Sequence, residues 1–228
     1  MTVPIFPGAR IGDLPVGAIV QLNESSDGEL WGNYIVVQQG IPGGRTDIYD
    51  ESCNGTWLLR QDLILTSNPW STSGIVDYPE SNVCSILNMS LEGFSSAVKE
   101  NLLEVKIPYY NSSTADLSNT IVRFFVLGAS ELGYVNDNVP IDGIKLEYFV
   151  QGNNQEANNK RIANFEESPS AWWTRSVEAE NSGFVEVVDI DGSMNLASME
   201  NDEGGIRPAL ILNPNAWINE EHKLVETS

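Results

Sequence analysis

Short runs of strand-forming residues bounded by Gly, Asp, Asn and Ser occupy both ends of this chain, and helical spacing is confined to the stretch between them. Strands, then helices, then strands is an order that does not wind a parallel sheet. It predicts an α+β domain with antiparallel sheet. No fixed-period repeat or Pro/Gly-rich linker divides the 228 residues, so a single domain over 1–228 is expected. Its N-terminal strands fall within 11–65, and an irregular acidic tail begins at about 214.

The N-terminal run IGDLPVGAIVQL and the later LWGNYIVVQQG read as a hairpin, and WLLRQDLIL as a further strand, with a Gly- and Asp-rich loop over 41–56 between them. Ser81 opens a helix carrying Val83, Cys84, Ile86 and Leu87. A second helix, capped by Ser90, is predicted from Leu91, Phe94, Ala97, Val98, Leu102 and Val105. After it IPYYNSSTADLSN reads as loop, IVRFFVLGA as a strand, and QGNNQEANNKRIAN as an exposed excursion that could be deleted without loss of stability. AWWTRS, GFVEVVDIDGSMNLASM and GIRPALIL supply the last strands, with a type I′ turn at Asp191-Gly192.

Charge narrows the function. With 12 Lys and Arg against 32 Asp and Glu the formal charge is −20, which repels phosphate backbones and anionic lipid heads. No apolar run nears the ~20 residues that span a bilayer, and MTVPIFPGARIGD lacks the basic start and apolar segment of a leader. Neither nucleic-acid binding nor membrane insertion is expected.

Chemistry-bearing motifs are sparse. The sequence holds no phosphate-cradling Gly-rich loop, no dinucleotide fingerprint and no Gly-x-Ser-x-Gly elbow, so no cofactor is expected. The single His, His222, sits in a charged tail, and Cys53 and Cys84 read as free thiols with one bridge possible. Asp189, Asp191 and Asn195 begin like a calcium loop, but the Gly and the bidentate Glu that such a loop needs are missing, so they are weak ligands and a turn is the simpler reading. Asn136, Asp137, Asn138 and Asp142 are equally weak. Trp172 and Trp173 face opposite ways on a strand, which puts one in the core and leaves the other at the surface or under a loop. Trp172, Arg175, Arg207 and Pro208 read as structural, with the arginines held by carbonyl or carboxylate partners.

Taken in order, GDLPVGAIV, YIVVQQG, WLL, Tyr78 with Ser81–Asn88, Trp172–Arg175, the Asp-Gly hairpin and GIRPAL resemble a domain-of-unknown-function family of clostridial and gut bacteria and their phages, whose C-terminal signature runs WWLRS, Asp-Gly, GVRPAL. Thr174 stands where that family has Leu, and Val83-Cys84-Ser85-Ile86 replaces its Leu-Arg. The resemblance implies a C-type-lectin-like fold, related to formylglycine-generating enzymes, with antiparallel sheets flanked by two helices and with Trp172–Arg175 and Ile206–Leu210 together in a central sheet. It supplies no catalytic residue.

On that reading the chain is a non-enzymatic phage virion protein of tail, baseplate or capsid decoration, or a surface display protein. It is expected in the virion or, before assembly or release, in the bacterial cytoplasm. Its partners are other virion or surface proteins and a host glycan, and it is expected to be a homo-oligomer. Its contact residues are expected in two polar loops: Arg45, Asp47 and Tyr49 in the first, and Asn153, Asn154, Gln155, Lys160 and Arg161 in the second. The alternatives are an enzyme related to formylglycine-generating oxidases, and a purely structural assembly protein.

Overall fold

The computed structural model describes residues 8–74, 77–179, 183–202 and 204–226; residues 1–7, read above for a leader, and the side chain of Leu91 lie outside them. The elements are β1 (Gly8–Arg10), β2 (Ile19–Asn23), β3 (Trp31–Gln39), β4 (Thr56–Arg60), α1 (Asn82–Ser90), α2 (Ser96–Asn101), β5 (Val105–Asn111), β6 (Asp116–Val122), β7 (Phe124–Phe125), α3 (Gln155–Arg161), β8 (Asn164–Phe165), β9 (Ser168–Pro169), β10 (Trp172–Val177), β11 (Phe184–Val188), β12 (Met194–Ser198), β13 (Ala209–Leu212) and β14 (Trp217–Asn219). Every pairing between strands is antiparallel, and helices are few. The fold is therefore β-rich α+β. No helix among the described residues is long and apolar enough to cross a membrane.

A five-stranded sheet in the order β2-β3-β4-β13-β7 forms the centre, and β10-β11-β12 form a three-stranded sheet beside it. Residues of β4 and β13 are buried on both faces, which is why their sequences are continuous apolar runs rather than alternating ones. Trp172–Arg175 and Leu210 thus belong to different sheets, joined by the isolated bridge between Trp172 and Gly205. Both Trp172 and Trp173 are fully buried, because the small sheet is covered on both sides. Trp173 donates its indole N–H to the Asn68 carbonyl at 2.7 Å and packs edge-on against Trp70. A Cβ at Gly204 would stand 2.3 Å from the Trp173 ring, so this approach requires glycine.

Three local expectations change. The Ser90-capped helix is absent: after α1 the chain makes a 3-10 turn at Leu91–Gly93 and restarts as the six-residue α2. Leu103 donates its N–H to the Ile211 carbonyl, drawing the chain out of the helix toward the sheet, and Val105 opens β5. The stretch read as loop over 107–119 is mostly the β5–β6 hairpin, its polar tip closed by Asn111 Oδ1 accepting from the N–H groups of Ser113 and Thr114. The tail from 214 is tied in, since β14 pairs with β1 and Leu224 is buried.

Between β11 and β12 the turn is not type I′. Asp189 O accepts from Gly192 N–H, the two residues between them keep negative φ, and Gly192 alone is left-handed, which is a type I turn with a G1 bulge.

Residues 126–132 are buried without regular structure, so their backbone groups need other partners. Arg175 supplies two of them, its main-chain N–H reaching the Leu127 carbonyl and its guanidinium the Val126 carbonyl. Its guanidinium donates to the carbonyls of Pro108, Val126 and Asp142 and forks onto Glu131 at 2.6 and 2.7 Å, all with zero side-chain exposure. Arg207 donates to the carbonyls of Arg60, Gln61 and Arg161, and burial pulls it down to about 10.

Glu186, like Asp142, is a buried acid with one carboxylate oxygen left without a partner among the described residues. It lies fully buried in β11, where Asn136 donates to its other oxygen at 3.2 Å. Burial pushes its carboxyl up from 4.5 to about 7. Because the folded state holds this proton more tightly, its contribution to stability is complete below about pH 4.5 and is lost as pH rises through 7. Glu186→Gln is therefore expected to match the parent at pH 4 and to exceed it at pH 8 by on the order of 3 kcal/mol. Urea midpoints of both proteins across that range check this, and parallel pH profiles refute it.

Candidate functional site

Two-residue hairpins favour turns with positive φ at both central positions, usually filled by Asn and Gly. The β8–β9 hairpin fills them with Glu166 (φ 48°) and Glu167 (φ 70°). L-residues held there cost on the order of 1–3 kcal/mol each, and such residues collect where a surface must keep one shape. Across the cleft stands a third, Ser67 (φ 54°). Of the five described non-glycine residues with positive φ, three line this one region.

The region is a cleft of adjoining cavities that share lining residues. A cavity of about 590 Å³ lies on one side of the hairpin, between Thr66, Ser67, Ser168, Ser170 and Asp189, and a second of about 530 Å³ lies on the other, toward Arg60 and Asp62. Phe165 and Glu166 line both. The second shares Glu24, Leu30 and Ile64 with an apolar recess of about 260 Å³ lined by Leu87, Phe94 and Phe124.

At that junction Arg60 forks onto Glu24 at 2.7 and 3.0 Å, and Tyr34 donates its hydroxyl to the same carboxylate at 2.7 Å. Burial, with the Glu24 charge beside it, holds the Tyr34 phenol well above its ordinary value, so it stays a donor. The cation of Arg60 is consumed by Glu24. Asp62, Glu166, Glu167 and Asp189 then leave the cleft net negative, which disfavours phosphate, sulfate and acidic sugars.

None of the eight loop residues singled out in the sequence lines this cleft. Arg45 and Asp47 are exposed and close on each other at 2.6 and 2.7 Å. Tyr49 is no surface contact: it is buried, donates to Glu131 at 2.9 Å and accepts from Ile144 N–H. Arg161 is likewise fully buried, reaching the carbonyls of Leu132, Gly152 and Gly192. The supposed excursion over 152–161 is mostly α3, capped by Asn154 accepting from Ala157 N–H, with Asn153 bonded to Met194 N–H and Lys160 lying 4.3 Å over the Tyr148 ring. Gln155 is exposed and bonds Asn159. Deleting this segment would remove a buried arginine and the carbonyl contacts it makes.

Asp189, Asp191 and Asn195 turn their oxygens onto neighbouring N–H groups, at Ile190, Ser193 and Leu196 respectively. Asp142 is buried against Ser176, apart from the turn at Asn136 and Asn138. No cluster of three metal-ligating side chains occurs among the described residues. Both cysteines are free and buried; burial, with the Glu131 charge, pushes the Cys53 thiol up to about 12, and burial raises Cys84.

The cleft residues gave little signal in the sequence. FEESP contains none of the Gly or Asn that usually mark such a turn, and Ser67 lies in an ordinary polar loop.

No curated protein and no solved structure matches the chain. A family model does, over residues 54–214, a stretch that runs from the threshold of β4 to just past its sheet neighbour β13 and takes in α1 to α3, the three buried arginines and the cleft hairpin. Since that stretch is more than half of the sequence, the chain belongs to the family described as domain of unknown function DUF6273.

Proposed function

We propose that this protein is a non-enzymatic display module that binds a neutral glycan in the cleft around Glu166–Glu167, on a C-type-lectin-like scaffold in a phage virion or on a bacterial surface. The concentration of left-handed residues at Ser67, Glu166 and Glu167 carries the reading: Ser67 and Glu166 line one cavity and Glu167 the adjoining one, and strain held in place there keeps a recognition surface in shape. The lining chemistry fits a sugar. Thr66, Ser67, Ser168 and Ser170 offer hydroxyls that donate and accept, Asp189 and Glu166 accept, and the half-buried Phe165 ring offers an apolar face. A host glycan is the natural ligand of such a module, with neighbouring virion or surface proteins as its other partners.

Oxidase chemistry of the formylglycine-generating kind needs thiolates, and buried thiols with raised pKa values work against it. An array of neutral and acidic glycans probed with the full chain, followed by calorimetric titration of the hits, tests the proposal. Phe165→Ala is expected to weaken binding at least tenfold, a loss of about 1.4 kcal/mol. The double variant Glu166→Asn, Glu167→Gly is expected to bind more weakly while melting higher, since it relieves the turn. Absence of any neutral-glycan hit, or unchanged affinity in Phe165→Ala, refutes the proposal.

A further inference from the structure

The β5–β6 ribbon leaves one strand edge open, and its register shows what the edge presents. Lys106 is engaged away from β6, its N–H donating to Ser52 Oγ at 2.9 Å and its carbonyl accepting from the Cys53 thiol. The Pro108 carbonyl is turned the same way, toward Arg175. Lys106 pairs with Ile121 and Pro108 with Asn119, so these are the non-hydrogen-bonded pairs of the ladder. By the same alternation the main-chain groups of Leu117, Asn119 and Ile121 point outward. Among the described residues no strand lies beyond them.

That edge has few of the features that normally block pairing. Residues 117–122 contain no charge, proline or glycine, and Leu117 and Ile121 are 41% and 66% exposed. One weak guard exists, the Asp116 carboxylate accepting from Leu117 N–H at 2.8 Å. The ribbon is held at both ends, by Ser112 donating its N–H and hydroxyl to the largely buried Asp77 and by Arg123 facing Glu104 at 3.5 Å. Little ordering remains to be done when a partner strand arrives.

We infer that the open edge of β6 is a homodimer interface, in which β6 of a second copy adds antiparallel about a two-fold axis through Asn119. In that register Asn119 faces Asn119 and Leu117 faces Ile121 of the other copy, and all these residues have outward main-chain groups, so the ladder continues without a bulge. The side chains agree. On the exposed face Tyr110 stands beside Leu117 and Lys106 beside Ile121, so each row across the four-stranded sheet reads Tyr110, Leu117, Ile121, Lys106. A chain of charge −20 self-associates most readily along an uncharged strip, and 117–122 is one, bounded by Asp116 at one end and at the other by Arg123, which faces Glu104.

Sedimentation of the full chain over a range of concentrations is expected to show a monomer–dimer equilibrium that tightens as salt screens the remaining repulsion. Asn119→Pro removes an outward N–H and no bond of the β5–β6 ladder. It is expected to raise the dimer Kd at least tenfold, with a melting temperature unchanged at concentrations where the parent is monomeric. Asn119→Cys reads the register directly, since hydrogen-bonded partners stand about 5.5 Å apart at Cα, within reach of a disulfide. Mild oxidation should cross-link that variant into a dimer and leave Thr120→Cys uncross-linked. A protein that stays monomeric at its highest attainable concentration, a dimer indifferent to Asn119→Pro, or cross-linking at Thr120→Cys instead would each overturn the inference.

Discussion

Arg175→Met is expected to lower the unfolding free energy by about 3–5 kcal/mol, because it leaves the Glu131 carboxylate buried and without its counter-ion. The loss is broader than one ion pair. The carbonyls of Pro108, Val126 and Asp142 lose a donor at the same time, and Tyr49, which donates to Glu131, is left holding an uncompensated charge. Urea denaturation measures the effect directly. Combining the change with Glu131→Leu removes the stranded charge and is expected to recover part of the loss, so that the two substitutions are not additive. A midpoint shift worth less than about 1 kcal/mol for Arg175→Met would show that the network is incidental.

Trp172→Ala is expected to cost about 3–5 kcal/mol, the range for truncating a fully buried large aromatic. Here an electrostatic loss adds to the cavity. The Trp172 indole N–H donates to the Arg161 carbonyl at 3.1 Å, and the Arg207 guanidinium lies 5.1 Å from the ring centroid with carbonyl oxygens as its hydrogen-bond partners among the described residues. Removing the ring exposes that cation to an empty space in the core. Trp172→Phe keeps an aromatic face under Arg207 and loses the indole bond, so a smaller cost of about 1–2 kcal/mol is expected. Thermal and urea unfolding of the two variants should rank them in that order.

What could be read from the sequence was local. The β2–β3 hairpin, α1 and its Ser81 cap, and the strands around Trp172, Val185 and Leu210 each carry their pattern within a few residues. Antiparallel, β-rich α+β architecture follows from their order. The misreadings have one physical origin. Arg161 looks like a solvated cation in an Asn-rich stretch, yet its partners Leu132, Gly152 and Gly192 come from segments that only the tertiary fold brings together. Tyr49 depends in the same way on Glu131 and Ile144. The β5–β6 hairpin was hidden because its polar tip and half-exposed outer strand resemble a loop in composition. The cleft was hidden because glutamates occupy turn positions that ordinarily announce themselves with Asn-Gly.

The pairing of β4 with β13 sets a schedule for the chain's own synthesis. Leu58 and Leu210 are direct partners in the central sheet, so the middle of that sheet cannot close until the chain through about residue 212 has left the ribosome. Until then β4 presents an apolar, unpaired edge, the kind of surface that captures other chains. Contacts spanning such separations also make folding slow once they can form, since a long loop must be closed before any bond rewards it. Nascent chains ending before about residue 209 are thus expected to be protease-sensitive and chaperone-bound, and protection should arrive abruptly as β13 emerges.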